Sequence, residues 1–137
     1  MNGFLLDTNV VSELRKREHC APKVNAWAQS VEPNQNFLSV LVIGELTRGA
    51  ILRRRTDGAS ADALESWITR LMHLYAERIL PITLEIAREW GRLNALRPIP
   101  PEDGLLAATA HIHRLTLVTR NTRNVEGLAV SILNPWI

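Results

Sequence analysis

The sequence predicts an α/β fold, a three-layer α/β/α sandwich built on a parallel sheet of four or five strands. Short apolar runs of strand length alternate with longer apolar helical segments along the 137 residues. Strands separated by helices pair in parallel, because each connection crosses one face of the sheet. The length fits one domain, residues 1–137, and no repeat, linker or low-complexity tract divides it.

The first half of the chain contains two predicted strands and four predicted helices. Their order is a strand at residues 3–7, helices at 8–17 and 22–31, a strand at 37–39, and helices at 40–55 and 61–77. A loop at 56–60 precedes the last of these helices, and its final residue, Ser60, is of a type that caps a helix. The third helix ends in Arg53, Arg54 and Arg55, where the helix dipole favours cations.

The second half contains three predicted strands and two predicted helices. Their order is a strand at 79–82, helices at 84–96 and 102–114, a strand at 115–119 and a strand at 130–133. Thr83 is placed to cap the first of the two helices. Pro98, Pro100 and Pro101 form a rigid connector between them, and a turn at 121–124 follows the fourth strand.

The net charge is small, but the cationic residues are of one kind. The chain carries +2 with a pI of about 9.2. Lys16 and Lys23 are the only lysines, and the remaining 14 of the 16 cationic residues are arginines. Arginine binds phosphate through a planar fork. This favours nucleic acid as a partner, although an arginine bias also follows from genome base composition.

Cys20 is the only cysteine, which excludes an intrachain disulfide and a zinc cluster built on thiolates. A reducing compartment, the cytoplasm, is the simplest assignment. No apolar run approaches the roughly 20 residues needed to cross a bilayer. Asp7 interrupts the apolar opening and no basic region precedes it, so no signal peptide is predicted.

Three acidic residues stand where chemistry is expected. Asp7 closes the first strand, and Asp103 opens a helix after the proline connector. The other two aspartates, Asp57 and Asp62, lie in or beside a polar loop. In an open parallel sheet, ligands bind beyond the carboxyl ends of the strands, where Asp7 is expected. Glu45 lies inside the apolar run VLVIGEL, where a partly buried carboxylate needs a partner such as a metal ion.

Each of these acids also has a purely structural interpretation. Asp7 could cap the following helix, Asp103 could complement the helix dipole, and Glu45 could reach solvent at the edge of an apolar face. The combination is more informative than its members. Carboxylates from three separate elements could supply the oxygen ligands that Mg²⁺ and Mn²⁺ prefer.

Five sequence blocks occur in one order along the chain. They are DTNVVSEL at residues 7–14, SVLVIGEL at 39–46, PPEDGLLAATA at 100–110, LVTRNTRN at 117–124 and LNPW at 133–136. In these blocks the chain resembles the PIN-domain nucleases, especially the VapC and FitB-like toxins of type II toxin–antitoxin systems. The blocks span essentially the whole chain, which makes the resemblance specific.

The resemblance implies an endoribonuclease that uses Mg²⁺ or Mn²⁺, with Asp7, Glu45 and Asp103 as metal ligands and catalytic residues. It also implies cleavage of RNA, inhibition by a cognate antitoxin protein, and a homodimer that enters a larger toxin–antitoxin complex. The residues that would support this site are Asn9, Thr119, Asn121 and Asn124. Arg120 and Arg123 flank it and are candidates for binding RNA phosphates.

One position departs from the pattern of the family, whose last block usually reads T-R-N-x-x-D. Asn124 stands where that acid is expected. Its carbonyl oxygen could still serve the metal site, or the side chain could point away, with Glu126 or water in its place. The departure supports a second hypothesis, a catalytically weak or inactive PIN scaffold that binds RNA or a partner. Phosphoryl transfer through Asp7 is disfavoured, because such sites use a lysine and none follows Lys23.

The tryptophans are too dispersed along the chain to indicate a platform for stacking bases. They are expected in the core or in a dimer interface, and their positions are Trp27, Trp67, Trp90 and Trp136. His111 and His113 are two residues apart and therefore face different sides of a helix, unlike a zinc-binding pair.

Overall fold

The computed structural model describes residues 3–137, and at its centre lie five parallel strands in the order β3-β2-β1-β4-β5. The strands are β1 (Gly3–Leu6), β2 (Asn36–Ser39), β3 (Ile79–Leu80), β4 (Leu115–Val118) and β5 (Ile132–Leu133). Every strand pairing between them is parallel. The predicted parallel sheet is therefore confirmed, with five strands.

Helices cover both faces of this sheet. They are α1 (Thr8–Arg15), α2 (Pro22–Ser30), α3 (Val40–Arg54), α4 (Gly58–Tyr75), α5 (Leu84–Leu96) and α6 (Pro101–His113). Helix α1 contacts α2 and α3, and α3 packs along α4, whereas α5 packs along α6. Right-handed crossovers place α1 to α4 on one face and α5 and α6 on the other. This arrangement confirms the three-layer α/β/α sandwich. No helix within residues 3–137 is long and apolar enough to span a membrane.

The direction of the strand order reverses between β1 and β4. From β1 the chain moves outward through β2 and β3, then returns to place β4 on the other side of β1 and β5 beyond it. The two central strands are in register, with Leu5 opposite Leu117 and Leu6 opposite Val118. Their carboxyl ends therefore flank the reversal, the point at which open α/β sheets bind their ligands.

The central strands are buried on both faces, which explains their continuous apolar runs. Leu5, Leu6, Leu38 and Val118 are fully buried. Each buried leucine contributes roughly 2 kcal/mol through burial. Truncation of Leu5 to alanine would cost about 3 kcal/mol, because the packed helices on both faces cannot collapse into the cavity. The strands therefore form a rigid support for the side chains that follow them.

The predicted start of α4 was wrong, because a different residue caps the helix. Asp57, rather than Ser60, caps the helix, which begins at Gly58. The Ser60 amide donates to Asp57 Oδ1 at 3.0 Å, and its hydroxyl donates to Oδ2 at 2.7 Å. A carboxylate is a stronger acceptor than a hydroxyl at the positive end of a helix, so the helix extends one turn further back.

Other boundaries differ where the backbone adopts a left-handed conformation. Helix α1 ends at Arg15 instead of residue 17, and Arg17 has a φ of +53°. The last strand begins at Ile132 instead of residue 130, following Ala129 with a φ of +57°. Such a residue interrupts both helical and extended backbone, and nothing in the side-chain type of arginine or alanine announces it.

Candidate functional site

Asp7 lies at the reversal of strand order, directly after β1, and caps α1. Its side chain is buried, with the residue only 7% exposed. Oδ1 accepts the Thr8 amide at 2.7 Å, and Oδ2 accepts the Thr119 hydroxyl at 2.7 Å. Burial raises the pKa of the Asp7 carboxyl, although the hydrogen bonds from Thr119 and Thr8 oppose this. The carboxylate thus caps a helix and is fixed between the two central strands.

Glu45 lies on α3, half-buried, and faces Asp7 across the start of α1. Its Oε1 accepts the Thr8 hydroxyl at 2.9 Å. Burial raises the pKa of Glu45 to about 7, with further contributions from contact with Glu102 and from the charge of Asp7. The apolar run that contains Glu45 therefore buries it beside other acids instead of releasing it to solvent.

Asp103 lies in the first turn of α6 together with Glu102. Asp103 Oδ2 accepts the Asn124 side-chain amide at 2.8 Å. Glu102 contacts Glu45 and lies near enough to Asp7 to raise its pKa. Glu102 was missed in the sequence. The only signal was a second acid beside Asp103, which is also the ordinary way to complement a helix dipole.

These acids line one pocket of about 370 Å³ at the carboxyl end of the sheet. Its lining residues are Asp7, Thr8, Asn9, Glu45, Glu102, Asp103 and Asn121. The structure therefore brings together the three acids predicted from the sequence and adds a fourth. A separate groove of about 400 Å³ beside α1 and α4 is lined by apolar and arginine side chains and contains no carboxylate.

Polar residues after β1 and β4 hold the pocket in shape. Asn9 donates its amide to Asp7 Oδ2 at 3.4 Å and accepts the Arg120 backbone amide at 3.4 Å. The backbone N–H of Asn121 donates to the Thr119 hydroxyl at 3.1 Å. Thr119 thus accepts one hydrogen bond and donates another to Asp7. The predicted supporting residues Asn9, Thr119 and Asn121 all lie at the site.

Asn124 reaches the site through Asp103 and does not line the acidic pocket. Arg97 holds the same loop, because its guanidinium donates to the carbonyls of Asn124 at 3.2 Å and Glu126 at 2.6 Å. Glu126 is exposed and does not line the pocket either. Of the two alternatives left open by the sequence, Asn124 faces the site, but it acts as a donor to a carboxylate.

Arg120 and Arg123 line a second pocket of about 390 Å³ that shares Asn121 with the acidic one. Arg120 stacks on Trp136, with the guanidinium carbon 4.9 Å from the ring centroid. The sequence offered no signal for this pair, because the two residues belong to different segments after β4 and β5.

Four carboxylates in one pocket form a donor set that fits a hard divalent cation. Burial and mutual repulsion hold the Glu45 pKa near 7, and a cation would supply the positive charge that this cluster lacks. Within residues 3–137, however, no three acidic, histidine or cysteine side chains are placed to enclose a metal. The arrangement suits an ion such as Mg²⁺, which binds one or two carboxylates and keeps several waters.

Comparison with known proteins agrees with this geometry. The family model of the PIN domain matches residues 4–127. The toxin FitB of Neisseria gonorrhoeae is 33% identical over 140 residues, covering 97% of this chain and 98% of that protein. A VapC ribonuclease of Sinorhizobium fredii is 32% identical over 148 residues, covering 97% of both chains. The crystal structure of FitAcB from Neisseria gonorrhoeae matches with a TM-score of 0.88 at 32% identity, over 97% of this chain and 98% of that one. The chain belongs to the PIN-domain family.

Proposed function

We propose that this protein is a Mg²⁺- or Mn²⁺-dependent endoribonuclease and the toxin of a toxin–antitoxin module. The observation that carries the proposal is the pocket at the strand reversal, in which four carboxylates from three elements converge. The relatives support it, since FitB is a toxin by name and the Sinorhizobium fredii relative is a ribonuclease by name. The partners proposed are therefore RNA and a cognate antitoxin protein.

Asp7, Glu45 and Asp103 would hold the cation, and Glu102 would add charge to the same pocket. When bound, a divalent cation lowers the pKa of a water molecule and polarises a phosphodiester oxygen. Each acid would take part from a prepared position. Asp7 is fixed by Thr119 and by the Thr8 amide, and Asp103 by the Asn124 side chain.

The acidic pocket and the adjoining pocket with two arginines would have different roles in RNA cleavage and RNA binding. Four clustered carboxylates repel a phosphate chain, so we expect the metal-free protein to be inactive and to bind RNA poorly. Arg120 and Arg123 lie on the adjoining pocket and would attract the phosphates that flank the cleaved bond. Such contacts give affinity without sequence preference.

The test is RNA cleavage by the purified protein with Mg²⁺ or Mn²⁺ and with EDTA. Asp7→Asn, Glu45→Gln and Asp103→Asn should each lower the rate by at least about 100-fold, as expected on removal of a group that stabilises transition-state charge. Circular dichroism would verify that each variant is folded. The control is Asp62→Asn, an exposed carboxylate paired with Arg54 on the surface, which should cut normally. Full activity in one of the three variants would remove that residue from the catalytic set.

The alternative function is a catalytically weak or inactive PIN scaffold that binds RNA or a partner protein. Asn124 is the observation that favours it, because the family usually places an acid there. The same assay separates the two functions. RNA binding without metal-dependent cleavage would support the scaffold and contradict the nuclease.

A further inference from the structure

Arg120 is fixed at the rim of the acidic pocket through both its backbone and its side chain. It directly follows Thr119, whose hydroxyl binds Asp7. The Arg120 amide donates to Asn9 Oδ1 at 3.4 Å, and its guanidinium lies over the Trp136 ring at 4.9 Å. A cation over an indole face is stabilised electrostatically and loses orientational freedom. Arg120 therefore presents its guanidinium on the Trp136 ring, in the pocket that adjoins the acidic one.

Trp136 is itself held in position. Its amide donates to the side-chain oxygen of Asn134 at 2.9 Å, which closes a local turn after β5. Pro135 is buried, and the Trp136 side chain packs partly against the core. The ring is thus a fixed surface rather than a mobile one, and Arg120 stacks on its accessible part.

The N–H groups of the Arg120 guanidinium have no hydrogen-bond acceptor among the described residues. Within residues 3–137 it makes no hydrogen bond and no salt bridge, although it is held on a ring. Arg78 provides the contrast. It lies over Tyr75 at 4.6 Å, but its guanidinium also donates hydrogen bonds to the backbone carbonyls of three residues. Those residues are Pro33, Asn36 and Leu74. Arg78 is a structural arginine, whereas Arg120 is positioned without an intramolecular acceptor.

One nearby acid, Glu13, forms no salt bridge with Arg120 within residues 3–137. Glu13 lies close enough for Arg120 to contribute to lowering its pKa. Its two oxygens already accept Lys16 Nζ at 3.0 Å and the Ala21 amide at 2.8 Å. The exposed guanidinium of Arg120 is therefore available to a ligand, and the adjoining pocket of about 390 Å³ has two arginines and no acid in its lining.

We propose that Trp136 is a positioning residue that holds Arg120 as a clamp for an RNA phosphate flanking the cleaved bond. The inference rests on the proposed function and adds a subsite to it, the pocket lined by Arg120 and Arg123. The planar fork of arginine fits two phosphate oxygens at once. Because stacking presets the orientation of the fork, less freedom is lost when the phosphate binds.

The experiment measures binding of a labelled single-stranded RNA by fluorescence anisotropy in Mg²⁺, in the Asp103→Asn background so that the RNA survives. Arg120→Ala should raise Kd by about 10-fold, the low end for hydrogen bonds to a charged group. It should also reduce the slope of log affinity against log salt by about 0.7, the value for one phosphate contact to a single strand. Both effects should be equal for RNAs of different sequence. Arg15→Ala is the matched control. It removes the same charge from another arginine stacked on a tryptophan, outside both pockets, and should bind RNA like the parent.

The role of Trp136 is tested by comparing a variant that removes the aromatic ring with one that keeps a ring. Trp136→Leu should raise Kd by about threefold, as expected for the loss of one exposed cation–π contact, and Trp136→Phe should largely retain affinity. In the background with Asp103 intact, Trp136→Leu should raise KM and leave kcat unchanged. A general loss of structure would instead lower kcat. If Trp136→Leu does not fold, Arg120→Lys decides, because lysine keeps the charge but loses the flat fork, and it should also bind more weakly.

Three outcomes would overturn the clamp. They are unchanged affinity and salt slope in Arg120→Ala, equal affinity in Trp136→Leu and Trp136→Phe, and parental affinity in Arg120→Lys. A protein that binds RNA through Arg120 but cuts none would sustain Arg120 and Trp136 as a phosphate-binding pair and refute the nuclease. A protein that cuts RNA but whose RNA affinity is unchanged by Arg120→Ala would refute the clamp alone.

Discussion

Replacement of Glu45 by glutamine should stabilise the metal-free protein at pH 8 while it abolishes cleavage. Glu45 is half-buried beside Glu102 and Asp7, and these surroundings raise its pKa from 4.5 to about 7. Above pH 7 the folded protein must carry an ionised carboxylate that burial and its neighbours disfavour. Glutamine has nearly the same shape and removes that charge.

The sign follows from proton binding. Between pH 4.5 and about 7 the folded protein keeps a proton on Glu45 that the unfolded chain has released. The free energy of unfolding therefore decreases as the pH rises through this window. The difference between the two pKa values corresponds to at most about 3 kcal/mol. Solvent around the half-buried side chain reduces this to about 1 to 2 kcal/mol, or roughly 3 to 8 °C in melting temperature for a domain of this size.

The assay is thermal unfolding in EDTA between pH 5 and 8, followed by circular dichroism. The melting temperature of Glu45→Gln should exceed that of the parent at pH 8, and the difference should shrink towards pH 5. Glu77→Gln is the control, because this exposed acid lies outside the pocket and should leave the pH profile unchanged. Addition of Mg²⁺ at pH 8 should stabilise the parent more than the variant.

A pH-independent difference between the two melting curves would refute the argument. So would a variant less stable than the parent at pH 8. Either result would mean that the Glu45 carboxylate is not strained by its neighbours, and that the acidic cluster is looser than the contacts of Glu45 with Thr8 and Glu102 indicate.

Three further predictions concern neighbouring parts of the molecule. Asn124→Asp replaces the donor on Asp103 with a second carboxylate, so it should lower the metal-free melting temperature by about 3 to 6 °C and tighten Mn²⁺ binding in calorimetry. An unchanged isotherm would place this position outside the metal site. Gly104→Ala would set a Cβ 2.9 Å from Ile99 and Trp90, so it should destabilise the protein by about 1 kcal/mol and slow cleavage by displacing the start of α6. Normal stability and a normal cleavage rate would show that Ile99 and Trp90 can shift to accommodate the added methyl group. Light scattering at micromolar concentration should give twice the chain mass of 15.4 kDa, and a strict monomer would contradict the homodimer.

Much of the site could be predicted because its acids occupy unusual places in the sequence. Asp7 directly follows an apolar strand, and an acid there can contact a ligand bound at the strand ends. Glu45 interrupts an apolar helix, which is costly without a partner. These are local conflicts between a residue and its surroundings, and one sequence is sufficient to detect them.

The rest depended on contacts between distant segments. Glu102 looks like an ordinary first-turn acid until α6 is packed opposite α3. Trp136 packs partly against the core, as expected, but its contact with Arg120 could not be predicted. The left-handed residues Arg17 and Ala129, near the end of α1 and before β5, have side chains that give no warning. Periodicity predicts elements and faces, but it does not predict which loop ends meet.

The hydrogen bond from Thr119 to Asp7 joins residues 112 positions apart. Asp103 and its holder Asn124 also belong to the last third of the chain. A ribosome that has made the first four helices has therefore produced only two of the four acids of the pocket, Asp7 and Glu45. Premature termination before β4 leaves a fragment without the neighbour that fixes Asp7. A chain truncated before β4 should therefore lack cleavage activity, whichever divalent cation is supplied.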